Sequence, residues 1–163
     1  MLIRMGDRPG DLGTVAAMHG VLYAREHGMD QTIEAYVASA LGAFVTASTG
    51  LSGGDSAGCL WVAELDGAIV GSIGITRANE TEAQLRWFLV DPDKRGGGIG
   101  RGLLSTALDY CRRNDFRSVF LWTIAGLDRA HELYRRKGFK HTEDKPGHQW
   151  GIPVVEQRFD LVI

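Results

Sequence analysis

At 163 residues the chain is long enough for one domain with a hydrophobic core, and residues 1–163 are expected to form a single domain. Its apolar share of 44% and charged share of 23% are those of an ordinary globular protein, and a net charge of −2 excludes nucleic-acid binding driven by bulk charge. No apolar run is long enough to span a bilayer, Met1-Leu2-Ile3-Arg4-Met5 lacks the layout of a signal peptide, and the two cysteines, Cys59 and Cys111, make neither a disulfide framework nor a zinc set. The expectation is a cytoplasmic protein in a reducing compartment, with no metal.

In chain order, Leu2–Met5 reads as a short first strand. Leu12, Val15, Ala16, His19, Leu22 and Tyr23 recur at helical spacing, with Pro9 in the first turn and Gly28 at the end. Asp30 suits the N-cap of a second helix, whose stripe is Ile33, Tyr36, Val37, Ala40, Leu41, Phe44 and Val45. Ser48 to Gly58 reads as a glycine- and serine-rich loop. Strands are predicted over Cys59–Leu65 and Ala68–Thr76, joined by the hairpin turn Asp66-Gly67, and over Leu85–Val90. Ile99, Leu103, Leu104, Ala107, Leu108 and Cys111 then mark an amphipathic helix. Ser118–Ile124 is rich in β-branched and aromatic residues and reads as a strand. Asp128–Lys137 reads as a helix closed by Gly138. Phe139–Thr142 and Val154–Leu161 read as two final strands, with Pro146-Gly147 and Pro153 in their connection. The order β-α-α-β-β-β-α-β-α-β-β predicts a mixed α/β (α+β) sheet rather than a regular parallel array.

Between the third of these middle strands and the amphipathic helix lies Arg95-Gly96-Gly97-Gly98-Ile99-Gly100. Such a loop presents bare backbone N–H groups at a helix N-terminus, where phosphate oxygens can be held. Two nucleotide-binding loops fail on spacing. A dinucleotide fingerprint needs G-x-G-x-x-G, yet its sixth position is Leu103 counted from Gly98 and Arg101 counted from Gly96. A Walker A loop needs Lys and Ser or Thr where Leu103 and Leu104 stand. Three successive glycines also cost backbone entropy that a plain turn does not require.

The spacing that fits is Arg/Gln-x-x-Gly-x-Gly, here Arg95, Gly98 and Gly100, following Leu89-Val90-Asp91-Pro92. This resembles the acetyl-CoA loop of the GNAT N-acetyltransferase superfamily. Leu133-Tyr134-Arg135-Arg136-Lys137-Gly138-Phe139 resembles that family's L-Y-x-x-x-G-F at the expected distance, so the likeness runs over essentially the whole chain. A narrower likeness, in Gly10-Asp11-Leu12-Gly13, Leu22-Tyr23-Ala24-Arg25-Glu26, Leu121-Trp122-Thr123 and Trp150-Gly151, is to acetyltransferase domains elsewhere fused to MarR-type DNA-binding domains. The winged-helix part has no counterpart in this sequence, and no nucleic-acid or membrane partner is expected.

The resemblance implies acetyl-CoA as co-substrate. Its pyrophosphate would lie on the amides of Gly96, Gly97, Gly98, Ile99, Gly100 and Arg101, with Lys94, Arg95 and Arg101 adding positive charge. The strand Phe88-Leu89-Val90 would splay at a bulge, pair with the pantetheine arm and polarise the thioester carbonyl. Tyr134 would be the proton donor to the departing thiolate. The acceptor would be a primary amine, of a small molecule or an amino acid, attacking directly in a ternary complex. Tyr23, Glu26, Met29, Trp122, Trp150 and His148 are candidates for its wall. Glu80, Glu82, Glu64 and Glu26 are carboxylates to consider as the base, and His19 reads as a core histidine. Some relatives carry a Glu on the strand before the tyrosine helix where Trp122 and its neighbours stand, which points to a water-relayed proton or to a base from elsewhere. The Asn that many members place seven residues before the tyrosine is Leu127 here. Two other readings stay open: a non-catalytic acyl-CoA-binding or regulatory module, and an acetyltransferase acting on protein lysines or N-termini. Family members often form dimers, which leaves a homodimer open. Cys59 and Cys111 read as buried structural thiols.

Overall fold

The computed structural model describes residues 1–49 and 58–163. Its elements are β1 (Leu2–Met5), α1 (Asp11–His27), α2 (Thr32–Thr49), β2 (Gly58–Leu65), β3 (Ala68–Arg77), β4 (Glu82–Val90), α3 (Ile99–Arg113), β5 (Ser118–Ile124), α4 (Asp128–Arg136), β6 (Lys140–Gln149) and β7 (Ile152–Val162). Most of the loop expected from Ser48 to Gly58 lies outside the described residues. The strands form one seven-stranded sheet in the order β1-β2-β3-β4-β5-β7-β6. Every neighbouring pair is antiparallel except β4 and β5, which run parallel.

The strand period of two decides which layer each side chain joins. On β2, Cys59, Trp61 and Ala63 pack with α3, while Leu60 and Val62 pack with α1 and α2. Both faces are covered, so β2 reads as a continuous apolar run. The predicted α3 stripe is buried throughout, with Leu103, Leu104, Ala107 and Cys111 wholly inaccessible. Asp66 and Gly67 both have positive φ, as the predicted two-residue hairpin turn requires. Asp30 accepts the backbone N–H of Thr32 at 2.9 Å and so caps the start of α2.

Several boundaries differ from expectation, and β4 begins at Glu82 rather than Leu85. Pro9 precedes Gly10, the left-handed N-cap of α1, and lies outside the helix. The last two strands are longer than the sequence suggests, and Pro146 and Pro153 are inside them. The turn is made by Trp150 and Gly151, at φ 54° and 80°. Pro146 is tolerated because β6 is an edge strand. Pro153 lies before the stretch of β7 that pairs with β5, which begins at Glu156. A proline that needs no ladder hydrogen bond does not break a strand.

Candidate active site

The central strand β4 is interrupted on both sides. Towards β3, Ser72 pairs with Leu89 and Gly74 with Arg86, so two steps of β3 match three of β4. This is a β-bulge at Trp87-Phe88. Trp87 sits at φ 50°, unusual for a bulky residue, and the Ser72 hydroxyl donates to its carbonyl at 2.7 Å. Gly74 makes room for the indole, because a Cβ there would stand 2.4 Å from Trp87 Cε3. Towards β5, the parallel ladder ends at Leu85 and Leu121. Beyond it β5 stays with β7 as far as Ile124, and Arg86–Val90 diverges from Trp122–Ile124. The sheet opens at its centre, and Phe88-Leu89-Val90 is one side of the opening.

Tyr134 reaches this opening from α4 and Tyr23 from α1, and both line a cavity of about 150 Å³. Tyr134 is 4% exposed, and its ring lies 5.9 Å from that of Phe88. Burial, with the neighbouring Tyr23 second, raises its phenol pKa well above the ordinary tyrosine value. Burial likewise pushes Tyr23 up to about 12. His19 lines the same cavity. Its Nδ1 lies 2.8 Å from the Val15 carbonyl. A carbonyl only accepts, so that nitrogen carries the proton and Nε2 is the acceptor. Burial lowers the His19 pKa to about 4, leaving the ring neutral at physiological pH.

The glycine loop reaches the same strand from outside. Gly96 and Gly98 have φ of 92° and 84°, and Gly98 is the N-cap of α3. Gly98 offers no side-chain cap, so the first-turn N–H groups of α3 are open to a ligand. Gly96, Gly97, Gly98, Arg101, Gly102 and Ser105 line a shallow surface depression. A Cβ on Gly97 would meet nothing nearer than the Lys94 carbonyl at 3.9 Å. No described residue requires glycine at that position.

Arg95 and Glu26 have a different relation from the expected one. They form a two-pronged pair at 2.8 and 3.0 Å, and Arg95 Nε donates to the Val90 carbonyl. Arg95 therefore ties the loop to the end of α1 and to β4. Arg95 holds the Glu26 carboxyl below its usual range, which weakens it as a base. Glu26 and His148 are not among the cavity-lining residues, whereas Tyr23, Met29, Trp122 and Trp150 are. The other carboxylates considered are also elsewhere: Glu64 is paired with Arg4 and Arg8, Glu82 with Arg158, and Glu80 is exposed. Cys59 and Cys111 are free and buried, with thiol pKa values pushed up to about 11 and about 12 by burial. Leu127 lines the cavity with Ile124.

Sequence reasoning missed Gln84, Arg86, Trp87, Thr123 and Glu156, all on the cavity wall. Regular alternation would send Arg86 and Trp87 to opposite faces, and only the bulge puts both on this one. Gly74 is the one trace of it, as a glycine inside a strand signals a bulge or a close approach.

A mixed seven-stranded sheet opened between β4 and β5, with a glycine loop at one side of the gap, is an acyltransferase architecture. The model of the acetyltransferase (GNAT) family matches residues 31–139, and the chain belongs to that family. It is 40% identical over 85 residues to the N-acetylaspartate synthetase of Xenopus tropicalis. That match takes in 51% of this chain and 31% of the relative, so the chain spans about a third of the relative's length. Among solved structures, a ribosomal-protein-alanine N-acetyltransferase from Brucella melitensis superposes with a TM-score of 0.77 at 20% identity, over 100% of both chains. The yncA protein of Salmonella typhimurium, solved with its cofactor acetyl-CoA, superposes with a TM-score of 0.73 at 19% identity, over 99% of this chain and 93% of its own. At these identities the structural likeness speaks for the fold. Among the described residues no helix is long and apolar enough to cross a membrane, and no metal-ligating cluster is assembled.

Proposed function

We propose that the chain transfers an acetyl group from acetyl-CoA to the primary amine of a small molecule or amino acid, by direct attack within a ternary complex. One observation carries this reading: the open glycine cradle and the buried Tyr134 flank the same strand at the point where the sheet divides. When bound, acetyl-CoA supplies a thioester whose acyl carbon accepts the amine and whose sulfur leaves as thiolate.

The residues present suit that partner. Gly96, Gly97, Gly98, Ile99, Gly100 and Arg101 offer N–H groups and the positive end of α3 to a pyrophosphate. Gly97 lacks a side chain where none would clash, as close approach by a ligand demands. Phe88, Leu89 and Val90 have backbone groups freed from β5, able to pair with an extended arm and to donate to a carbonyl oxygen. Arg95 positions the loop through Val90 and Glu26 rather than facing the ligand itself. Tyr134 stays a protonated phenol and can hand its proton to a leaving thiolate. With Glu26 held by Arg95 and Glu156 hydrogen-bonded by Gln149, the amine proton leaves through water.

The cavity's size and aromatic walls favour a small acceptor over a polypeptide segment, and Tyr23 and Trp122 form part of its wall. The relative named for N-acetylaspartate supports an amino-acid acceptor. Two free, buried cysteines suit a reducing, cytoplasmic setting. The test is thiol release from acetyl-CoA across a panel of amines and amino acids. Release with at least one acceptor is expected. No release with any of them, alongside CoA binding measured by calorimetry, would leave a non-catalytic acyl-CoA-binding module instead.

A further inference from the structure

The cavity wall carries two adjacent residues whose donors have no acceptor among the described residues, Arg86 and, closed to solvent, Trp87. Arg86 is half-buried and makes no ion pair or hydrogen bond with a described residue; its guanidinium lies 4.9 Å from the Trp87 ring centre. Trp87 is 93% buried, counted from its 7% exposure, and its Nε1–H has no partner among the described residues. A buried donor left unsatisfied is costly, and a cation without a counter-charge is rare inside a pocket. The bulge is what brings both residues to the acceptor side of β4. The Cε3–Cζ3 edge of the indole faces Gly74, so the edge bearing Nε1 is turned the other way. Among the described residues the wall's one carboxylate, Glu156, is on β7, with β5 between it and β4.

We propose that Arg86 and the Trp87 indole N–H bind a carboxylate of the acceptor, so that the acceptor class is a free amino acid. This rests on the acetyl-transfer reading above. A guanidinium presents two parallel N–H donors that match a carboxylate's two oxygens. Arg86 lies two residues before Phe88, where the strand opens. A molecule held at Arg86 by its carboxylate therefore lies beside the opening of the strand. A volume of about 150 Å³ suits a compact molecule. A lysine side chain would instead meet the unpaired positive charge of Arg86.

The experiment compares free amino acids with their primary amides as acceptors, in the wild-type chain and in Arg86→Gln and Trp87→Phe. The wild type is expected to favour acids over amides at least tenfold in kcat/KM, chiefly through KM, as the loss of a charged hydrogen bond implies. Arg86→Gln erases that preference and Trp87→Phe reduces it. Equal use of acids and amides by the wild type, or an equal loss for both in Arg86→Gln, overturns the carboxylate site and leaves acetyl transfer standing. Absence of turnover with every acceptor counts against the transferase instead. Calorimetric titration of the protein, with and without CoA, against the same amino acids then decides the site. Binding lost in Arg86→Gln upholds it, and no binding to the wild type overturns it.

Discussion

His19 and Gly97 show how a single residue can be structural or functional for reasons that a contact list does not separate. His19 is a satisfied core histidine by its hydrogen bond to Val15 and a cavity residue by its position. Its folded pKa of about 4 lies below the ordinary value of 6.5. The unfolded chain therefore takes up the proton first, and the stabilisation present above pH 6.5 is lost as pH falls towards 4. The shift corresponds to roughly 3 kcal/mol. Urea unfolding at pH 7 and pH 4.5 is expected to show a stability drop of this order that is absent in His19→Gln; equal pH dependence in both would refute it. Gly97 makes the opposite case. Gly97→Ala is expected to keep or raise stability by about 0.4–1 kcal/mol, since no positive φ is imposed and nothing clashes. CoA affinity measured by calorimetry should nevertheless fall about tenfold. Unchanged affinity would show that the loop does not cradle the pyrophosphate.

At the scale of elements, the bulge in β4 organises the site. It frees Phe88-Leu89-Val90, turns Arg86 and Trp87 to one face, and depends on the glycine beneath the indole. Gly74→Ala would put a Cβ 2.4 Å from Trp87 Cε3. Overpacking of this kind costs about 1–3 kcal/mol, so the unfolding midpoint in urea should fall. KM for the acceptor should rise with it as Trp87 moves. A variant as stable as the wild type would mean that the indole is not fixed against β3. Most elements were legible because periodicity and turn chemistry agree: the α3 stripe, the Asp66-Gly67 hairpin and the glycine closing α4 are each set by local rules. The final hairpin was not. Pro-Gly reads as a turn, but the turn falls at Trp150-Gly151, where Trp150 N-terminal to glycine takes up positive φ and its ring packs tilted against that of Tyr36. Apart from the family likeness and the trace left by Gly74, the bulge was not legible, because register is a property of two strands and neither sequence states it alone.

At the scale of the molecule, the glycine loop and the tyrosine helix meet β4 as neighbours, with Gly100 beside Phe88 and Leu133, and the Arg95–Glu26 pair joins the loop to α1. In the sequence those two residues suit separate roles, a phosphate-side cation and an acceptor-side carboxylate. Contact across 69 residues of chain joined them instead. Such a pairing leaves no periodic or motif signal. The same holds for Arg86, which has no counter-ion among the described residues, a fact visible only in three dimensions.

The central claim is that Tyr134 serves chemistry rather than packing alone. The direct test is the turnover number of Tyr134→Phe with acetyl-CoA and the best acceptor, with CoA affinity measured alongside. A loss in kcat of about 10²–10⁴, typical of removing a general acid, is predicted, with CoA affinity within about twofold of wild type. Turnover equal to wild type would contradict the account.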